Sequence, residues 1–299
     1  MSKHPVYHDG ELYLQKRSGV EAAADKLSTM MITDRLQEQH KQFYALLNIL
    51  FVASVDERDR PWASVVTGSP GFISVPDEKH IRVDAQIIAG DILNENVKHN
   101  KLSGILGLEH HSRRRNRIAG ELITGDSNGL LIEVNQVFGN CPKYIQTRLA
   151  TITKSRQHTK ANEAEEYGEI NEACRALINK SNTFFIASYY PGCHSESQHK
   201  GADISHRGGQ PGFVRIENND TLVFDDFSGN NLYMTLGNLY SHPYAGLLFI
   251  DYNNGDLWQF QCKACIIETP DEKYTRRIKL KVIKIIKLAN SLNMIWETL

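Results

Sequence analysis

The chain has 299 residues, 34 Lys and Arg against 35 Asp and Glu, and a formal net charge of −1. That length accommodates two ordinary domains, and the charge balance argues against a general nucleic-acid binder, which carries a basic excess. No apolar run approaches the roughly eighteen residues of a membrane span, and the opening "MSKHPVYHDGELYLQ" has no apolar signal-peptide core. Five cysteines, an odd number spread over a long chain, suit a reducing cytoplasm rather than a disulfide framework.

Residues 18–47 have few strand formers and apolar spacing at three and four. They predict two helices broken near Met31–Thr33, with Thr33 or Asp34 capping the second. From Ile49 the texture changes to short β-rich runs, "ILFVASV", "WASVVTG", "GFISV" and "HIRVDA", punctuated by Gly, Pro and Asp. Residues 91–101 predict a short helix, and "LSGILGLE", "NRIAGELI" and "LLIEVNQVF" three more strands. The polar stretch "EAEEYGEINEACRALINK" reads as a connecting helix with Ala173, Leu177 and Ile178 on one face. From Thr183 the β texture resumes with "TFFIASYY", "GFVRI", "TLVFDDF", "AGLLFIDY", "LWQFQCKACII" and "RIKLKVIKIIKL". The expected fold is mainly β with flanking helices (α+β). Its parts are an N-terminal helical segment (1–48), a first β domain (49–150), a helical linker (151–182) and a second β domain (183–299).

The sequence repeats itself. "FVAS" (51–54) recurs as "FIAS" (185–188), "SPGFI" (69–73) as "QPGFV" (210–214), and "IRVD" (81–84) as "LVFD" (222–225). "AGD" (89–91) is echoed by "SGN" (228–230), and "NVKHNKLSGILGLE" (96–109) aligns with "NLYSHPYAGLLFID" (238–251) without a gap. The offset drifts only from 134 to 142 residues. Five matches in order predict a duplicated β domain in a pseudo-two-fold arrangement, the covalent counterpart of a homodimer.

The copies differ at one place. "ASVVTGSPGF" (63–72) faces "DISHRGGQPGF" (203–213), and only the second has a His–Arg pair. Ser205 offers a hydroxyl, Arg207 a planar charged fork suited to phosphate, and Gly208 and Gly209 a close approach to backbone. The plain alternative is a strand end with a hairpin bulge. His206 is the weak candidate for proton transfer, because strand neighbours alternate and it should point away from Ser205 and Arg207. In "FSGNN", Phe227, Ser228, Gly229, Asn230 and Asn231 lead into a helical run whose free N–H groups suit a phosphate, or simply cap the helix. In "RRRNR", Arg115 and Arg117 share a strand face and are better anion ligands than Arg114; a solvated turn is the alternative. In "GNCPKYIQ", Lys143 and Tyr144 are candidates to line a cleft between the halves. Cys141 reads as an inert thiol. Cys262 and Cys265 face opposite sides of a strand, and histidines 110, 111, 194 and 199 lack ligand spacing, so no metal is expected.

"ADISHRGGQPGFVRI" and "DDFSGNNLYMTLGNLYSHPYAGLLFIDY", with "PWASVVTGSPGFI", "SRRRNRIAGEL" and "VFGNCPKYIQ", resemble the pyridoxamine 5′-phosphate oxidase-like superfamily of FMN-binding split β-barrels, in its predicted flavin-nucleotide-binding branch. The resemblance runs from about Val6 to Trp296. It implies two tandem split barrels and FMN at an interface between barrels. Phosphate would be gripped at 205–209 and 228–231, with Arg115, Arg117 and Lys143 as further ligands. Tyr244 and Ala119 stand where that branch leads one to expect a basic residue and an Asn. The implied activity is an FMN-dependent oxidoreductase passing electrons to oxygen or a small-molecule acceptor. NAD(P)H or a reductase would be the electron source, and a homodimer is compatible. The alternatives are a non-catalytic flavin- or haem-binding protein and a haem-handling enzyme. No GxGxxG fingerprint marks a Rossmann site for NAD(P)H.

Overall fold

The computed structural model describes residues 6–99, 101–139, 142–153, 164–192, 200–227, 229, 231–269 and 276–298. The chain opens with α1 (Asp9–Arg17), α2 (Glu21–Met31), the two-residue β1 (Ile32–Thr33) and α3 (Glu38–Leu46). The first sheet follows as β2 (Ile49–Val55), β3 (Pro61–Thr67), β4 (Ile73–Asp77), β5 (His80–Asp84), α4 (Leu93–His99), β6 (Leu102–Glu109), β7 (Arg114–Asp126) and β8 (Gly129–Gly139). After β9 (Arg148–Ile152) come β10 (Glu165–Tyr167), α5 (Glu172–Lys180), β11 (Thr183–Tyr190), β12 (Gly201–Gly208), β13 (Val214–Asn218) and β14 (Thr221–Asp225). The chain ends with α6 (Met234–Ser241), β15 (Tyr244–Ile250), β16 (Leu257–Glu268), β17 (Arg276–Leu288) and β18 (Met294–Thr298).

The two eight-stranded antiparallel sheets have the same strand order. One runs β3-β2-β6-β7-β8-β5-β4 with β1 on β8; the other runs β12-β11-β15-β16-β17-β14-β13 with β10 on β17. Neither path closes on itself by backbone pairing among the described residues. Even the turns repeat. In "SPGF" and "QPGF" the fourth N–H donates to the first carbonyl (Phe72 to Ser69, 3.0 Å; Phe213 to Gln210, 2.9 Å). Gly71 and Gly212 hold φ of +95° and +85°, the left-handed position that follows proline in a type II turn.

The repeat extends further upstream than its sequence matches. β1-α3 and β10-α5 hold equivalent places before each sheet. Two- and three-residue strands carry no periodicity to detect, so β1 lay unseen in the N-terminal segment and β10 in the linker. The helix expected over 163–180 is confined, among the described residues, to α5, whose N-cap Asn171 accepts the Cys174 N–H at 2.9 Å. Its buried face is Cys174, Leu177 and Ile178, while Ala173 is exposed. The cap of α3 is Gln37, not Thr33 or Asp34: Thr33 lies in β1, and Asp34 pairs with Arg35 and Lys79. Within the N-terminal helical segment the structure adds α1 to the two expected helices; its N-cap His8 forms a capping box with Glu11. β9 and β18 pair as a separate two-stranded sheet that ties residues 294–298 to 148–152.

Each sheet has its own apolar core, and a third core lies between them. At its centre Phe51 and Phe185 stack with ring centroids 3.6 Å apart and planes 18° from parallel. They are the same residue of the repeat, each in its sheet's second strand, as expected on a pseudo-two-fold axis. Beside them the backbones touch. A Cβ on Gly104 would lie 2.6 Å from the Ala202 carbonyl oxygen, and one on Gly246, its equivalent, 2.6 Å from the Pro61 carbonyl oxygen. Only glycine allows this approach. Gly104→Ala and Gly246→Ala should each destabilise the protein by about 1–3 kcal/mol through overpacking, read as a lower urea midpoint. Gly19→Ala is the comparison: a Cβ there meets nothing within 4 Å, though its φ of +64° adds local strain.

Candidate anion cleft between the halves

Alternation along β12 sorts its side chains. Ser205 pairs with Ile186 and Arg207 with Phe184, whose side chains belong to the second sheet's own core. His206 pairs with Phe185 and faces the core between the sheets. The ring of Phe185 meets His206 edge-on at 5.7 Å, and both imidazole nitrogens are buried without a hydrogen bond. Burial, followed by Arg115, His110 and Arg148, lowers its pKa well below the ordinary value. His206 is therefore a neutral ring turned away from Ser205 and Arg207, not a member of their group.

The first half reaches this cleft from two places. On β7, Arg115 and Arg117 stand opposite Leu108 and Leu106, residues of the inter-sheet core, so both point toward the second half. Arg114 points elsewhere and lies over the Phe43 ring. Arg117 is 3% exposed. It forms an ion pair with Asp203 and lies 4.8 Å over the Phe138 ring. Asp203 also accepts from the Thr235 hydroxyl at 3.2 Å. Burial, then the guanidiniums of Arg115 and Arg207, push the Arg117 pKa well below the usual arginine range. The second approach is the segment after β8. The Tyr144 ring lies 5.3 Å from Phe227, Lys143 Nζ sits 5.2 Å over Tyr144, and Phe213 stands 6.3 Å from Phe227.

Gly208 and Gly209 have packing reasons of their own. A Cβ on Gly208 would fall 2.1 Å from the Tyr144 carbonyl oxygen, and one on Gly209 2.6 Å from the Phe213 ring. Close approach is what these glycines provide, but the group that approaches Gly208 is backbone from the first half. Arg207 is half-buried; its Nε is buried without a hydrogen bond. Asp226 is its nearest electrostatic counterweight and is shared with Arg276, 4.0 Å away. Burial raises the Asp226 pKa, and Arg207 and Arg276 oppose the rise. Gly229 has φ +118°, and Tyr233, at the N-cap of α6, is left-handed at φ 59°. Ser228, Asn230 and Cys141 lie outside the described residues, as do His194 and His199.

Three guanidiniums thus converge across the interface, with Asp203 and Asp226 against them and an aromatic wall of Tyr144, Phe227 and Phe213. Of the residues that sequence reading passed over, Asp203 had a signal: it lies two and four positions before Ser205 and Arg207, hence on their face. Asp226, Thr235 and Arg276 come from distant elements and had none.

The equivalent place in the other half has different chemistry. Ser64 stands for Ser205, Val65 and Val66 for His206 and Arg207, and Gln259 for Arg117. The Ser64 hydroxyl donates to Asp91 Oδ1 at 2.7 Å, and Gln259 Nε2 donates to Ala63 O, Ser64 Oγ and Asp91 Oδ1 at 2.9–3.0 Å. Asp91 Oδ2 and Gln259 Oε1 remain as buried acceptors. An acceptor-rich network repels an anion where the other cleft attracts one.

The outer parts of the two clefts differ as well. Around Asp203, Ala119 and Asn238, α1 inserts His8 and Glu11, leaving a cavity of about 50 Å³. Around the equivalents Trp62, Gln261 and Asn96, a cavity of about 670 Å³ stays open. There Arg60 sits 5.4 Å over the Tyr244 ring, bringing a cation from the first half to a position where a basic residue was expected. His8 Nε2 meets Asn238 Oδ1 at 2.8 Å, and its ring stacks on Tyr190 at 4.0 Å.

Among the described residues, no His, Cys, Asp and Glu cluster fits a metal, and no helix is long and apolar enough to cross a membrane. Cys262 is buried and Cys265 exposed, on opposite faces of β16.

No protein-family model matches this sequence, and no curated protein matches it. Several solved structures are similar to it over about a third of its length. HupZ of Group A Streptococcus is 15% identical over 35% of this chain and 93% of its own, with a TM-score of 0.28. A pyridoxamine 5′-phosphate oxidase candidate from Lactobacillus delbrueckii is 18% identical over 36% and 95%, with a TM-score of 0.26. The haem storage protein HutZ of Vibrio cholerae is 15% identical over 36% and 96%, with a TM-score of 0.26.

Glu11 makes the seating of α1 pH-dependent. Burial raises its pKa from 4.5 to about 8, opposed by the His8 N–H and by Arg117. Between those two values the folded state holds a proton that the unfolded chain has lost. Stability therefore falls as pH rises from about 4.5 to about 8 and then levels. Glu11→Gln should flatten that part of the pH–stability curve and raise the melting temperature at pH 8, as followed by circular dichroism.

Proposed function

We propose that this chain is an FMN-binding flavoprotein of two tandem split barrels, with one flavin site per chain, acting as an oxidoreductase. The observation that carries the reading is the convergence of Arg115, Arg117 and Arg207 on one cleft, with the buried Nε atoms of Arg117 and Arg207 unpartnered. A phosphate monoester supplies the negative charge and acceptors that such a group requires. Ser205 and the segment leading into α6 add neutral donors. Tyr144, Phe227 and Phe213 are aromatic surfaces on which a flavin ring can pack. When bound, FMN supplies the electron transfer to oxygen or a small acceptor.

The chain's own residues do the rest. Arg207 and Arg115 bind and orient the phosphate, and Arg117, locked to Asp203, fixes the spacing of the two halves around it. Tyr144 and Phe227 shield the ring from water. The acceptor network of Ser64, Asp91 and Gln259 supports a single site rather than two. The electron source, NAD(P)H or a reductase, would dock without a Rossmann fingerprint.

Purified protein reconstituted with FMN should carry about one flavin per chain, measured by releasing it under denaturing conditions; the single-site logic follows from the unequal copies. Arg207→Ala should weaken FMN by roughly 1.5–3 kcal/mol, about ten- to a hundredfold, while riboflavin changes little. Arg207→Lys should recover part of the loss. Equal weakening of both flavins would remove the phosphate role, and two tight flavins per chain would restore the first copy as a site. A haem-binding protein is the rival reading, and it requires a Soret shift on haemin titration that FMN does not compete away.

A further inference from the structure

On the opposite side of β12 from the flavin cleft lies a second polar group inside the core between the sheets. Its members form a continuous series of contacts. The Arg148 guanidinium lies 4.1 Å over the Tyr252 ring, and Tyr252 meets Trp296 edge-on at 4.9 Å. Trp296 meets His110 at 5.1 Å, and His110 meets Phe51 at 6.4 Å. Phe51 stacks on Phe185, which carries His206 on its edge. The Arg148 charge also acts on both His110 and His206.

The polar atoms of this group are left over. Arg148 Nη1, Tyr252 OH, Trp296 Nε1, His110 Nε2, both nitrogens of His206 and the Thr183 hydroxyl are buried and make no hydrogen bond. Arg148, His110, His206 and Thr183 are each at most 7% exposed. Among the described residues, the Arg148 side chain makes one hydrogen bond, donated from Nη2 to the neutral Asn182 amide oxygen at 2.5 Å. No carboxylate among the described residues pairs with it. Buried polar groups in native proteins are satisfied by protein, water or ligand, and a buried charge needs a counter-charge. Water can meet the hydrogen-bond demand but leaves the guanidinium uncompensated; an anion meets both demands. The available donors are N–H and O–H groups held by rings and a planar fork, with no acid among them.

We propose that the pseudo-axial cluster of Arg148, Tyr252, Trp296, His110, His206 and Thr183 is a buried binding site for a small inorganic monoanion of halide size. The occupant would tie β9 and β18, which carry Arg148 and Trp296, to the two facing sheets. The cluster lies on the His206 face of β12, while Ser205 and Arg207 face the other way; Arg115, which acts electrostatically on His206, stands between the two.

The test uses the full-length protein and bromide. Crystals grown in chloride-free buffer and soaked in sodium bromide should show an anomalous peak within hydrogen-bond reach of the Arg148 guanidinium and the Trp296 indole. In solution, exchanging gluconate for bromide should raise the melting temperature by roughly 2–5 °C at about ten times the dissociation constant. Arg148→Met should abolish that rise, whereas Arg207→Ala should keep it. Should Arg148→Met not fold, Trp296→Phe, which deletes one donor and keeps the ring packing, should raise the bromide dissociation constant several-fold. Water alone among these side chains, a bromide peak confined to the Arg207 cleft, or an unchanged constant in Trp296→Phe would overturn the proposal.

Discussion

Everything in this molecule depends on how closely two sheets can approach along one axis. The Phe51–Phe185 stack occupies the axis, and Gly104 and Gly246 let backbone meet backbone on either side of it. Any side chain at either glycine would push the sheets apart. The distance matters beyond packing, because Arg117 reaches Asp203, and Gln259 reaches Ala63, only across that narrow gap. The apolar contacts therefore set the geometry of both polar clusters, although none of their atoms takes part in the polar chemistry.

Electrostatics then separates two places that topology makes equivalent. In one, three guanidiniums are drawn out of water beside two carboxylates that only partly balance them. In the other, a serine, an aspartate and a glutamine bond mainly to one another and leave acceptors over. The same strand positions thus have opposite affinities for charge. The outer cavities follow suit: α1 fills one and leaves its equivalent open. This N-terminal helix breaks the symmetry of the halves, and it lies against the cationic side.

The sheets were legible in the sequence because β-rich runs alternate and the repeat keeps its order. "FVAS" against "FIAS" even located the two phenylalanines of the axis, though nothing in the text of the sequence says that equivalent residues touch. Alternation also separated His206 from Ser205 and Arg207, and Arg114 from Arg115 and Arg117. What stayed hidden shares a physical cause. β1 and β10 are too short to show a period, and β9 and β18 pair across more than a hundred residues. Asp226, Arg276 and Tyr144 O enter the cleft through tertiary packing that local pattern does not encode. Ala173 lies at the margin of the apolar face, whereas Cys174, three and four residues before Leu177 and Ile178, stands at its centre.

The likeness of the halves has a consequence for how such a molecule can change. In a dimer of identical chains every substitution appears twice, once in each symmetry-related site. A cation gained in one cleft is gained in the other, and any residue on the axis must tolerate its own copy. Joining the two copies in one chain removes that coupling. Val66 and Arg207, or Gln259 and Arg117, can then vary independently while Phe51 and Phe185 keep the shared axis. One cleft is free to specialise and the other to be filled for stability, a division of labour closed to any assembly of identical parts.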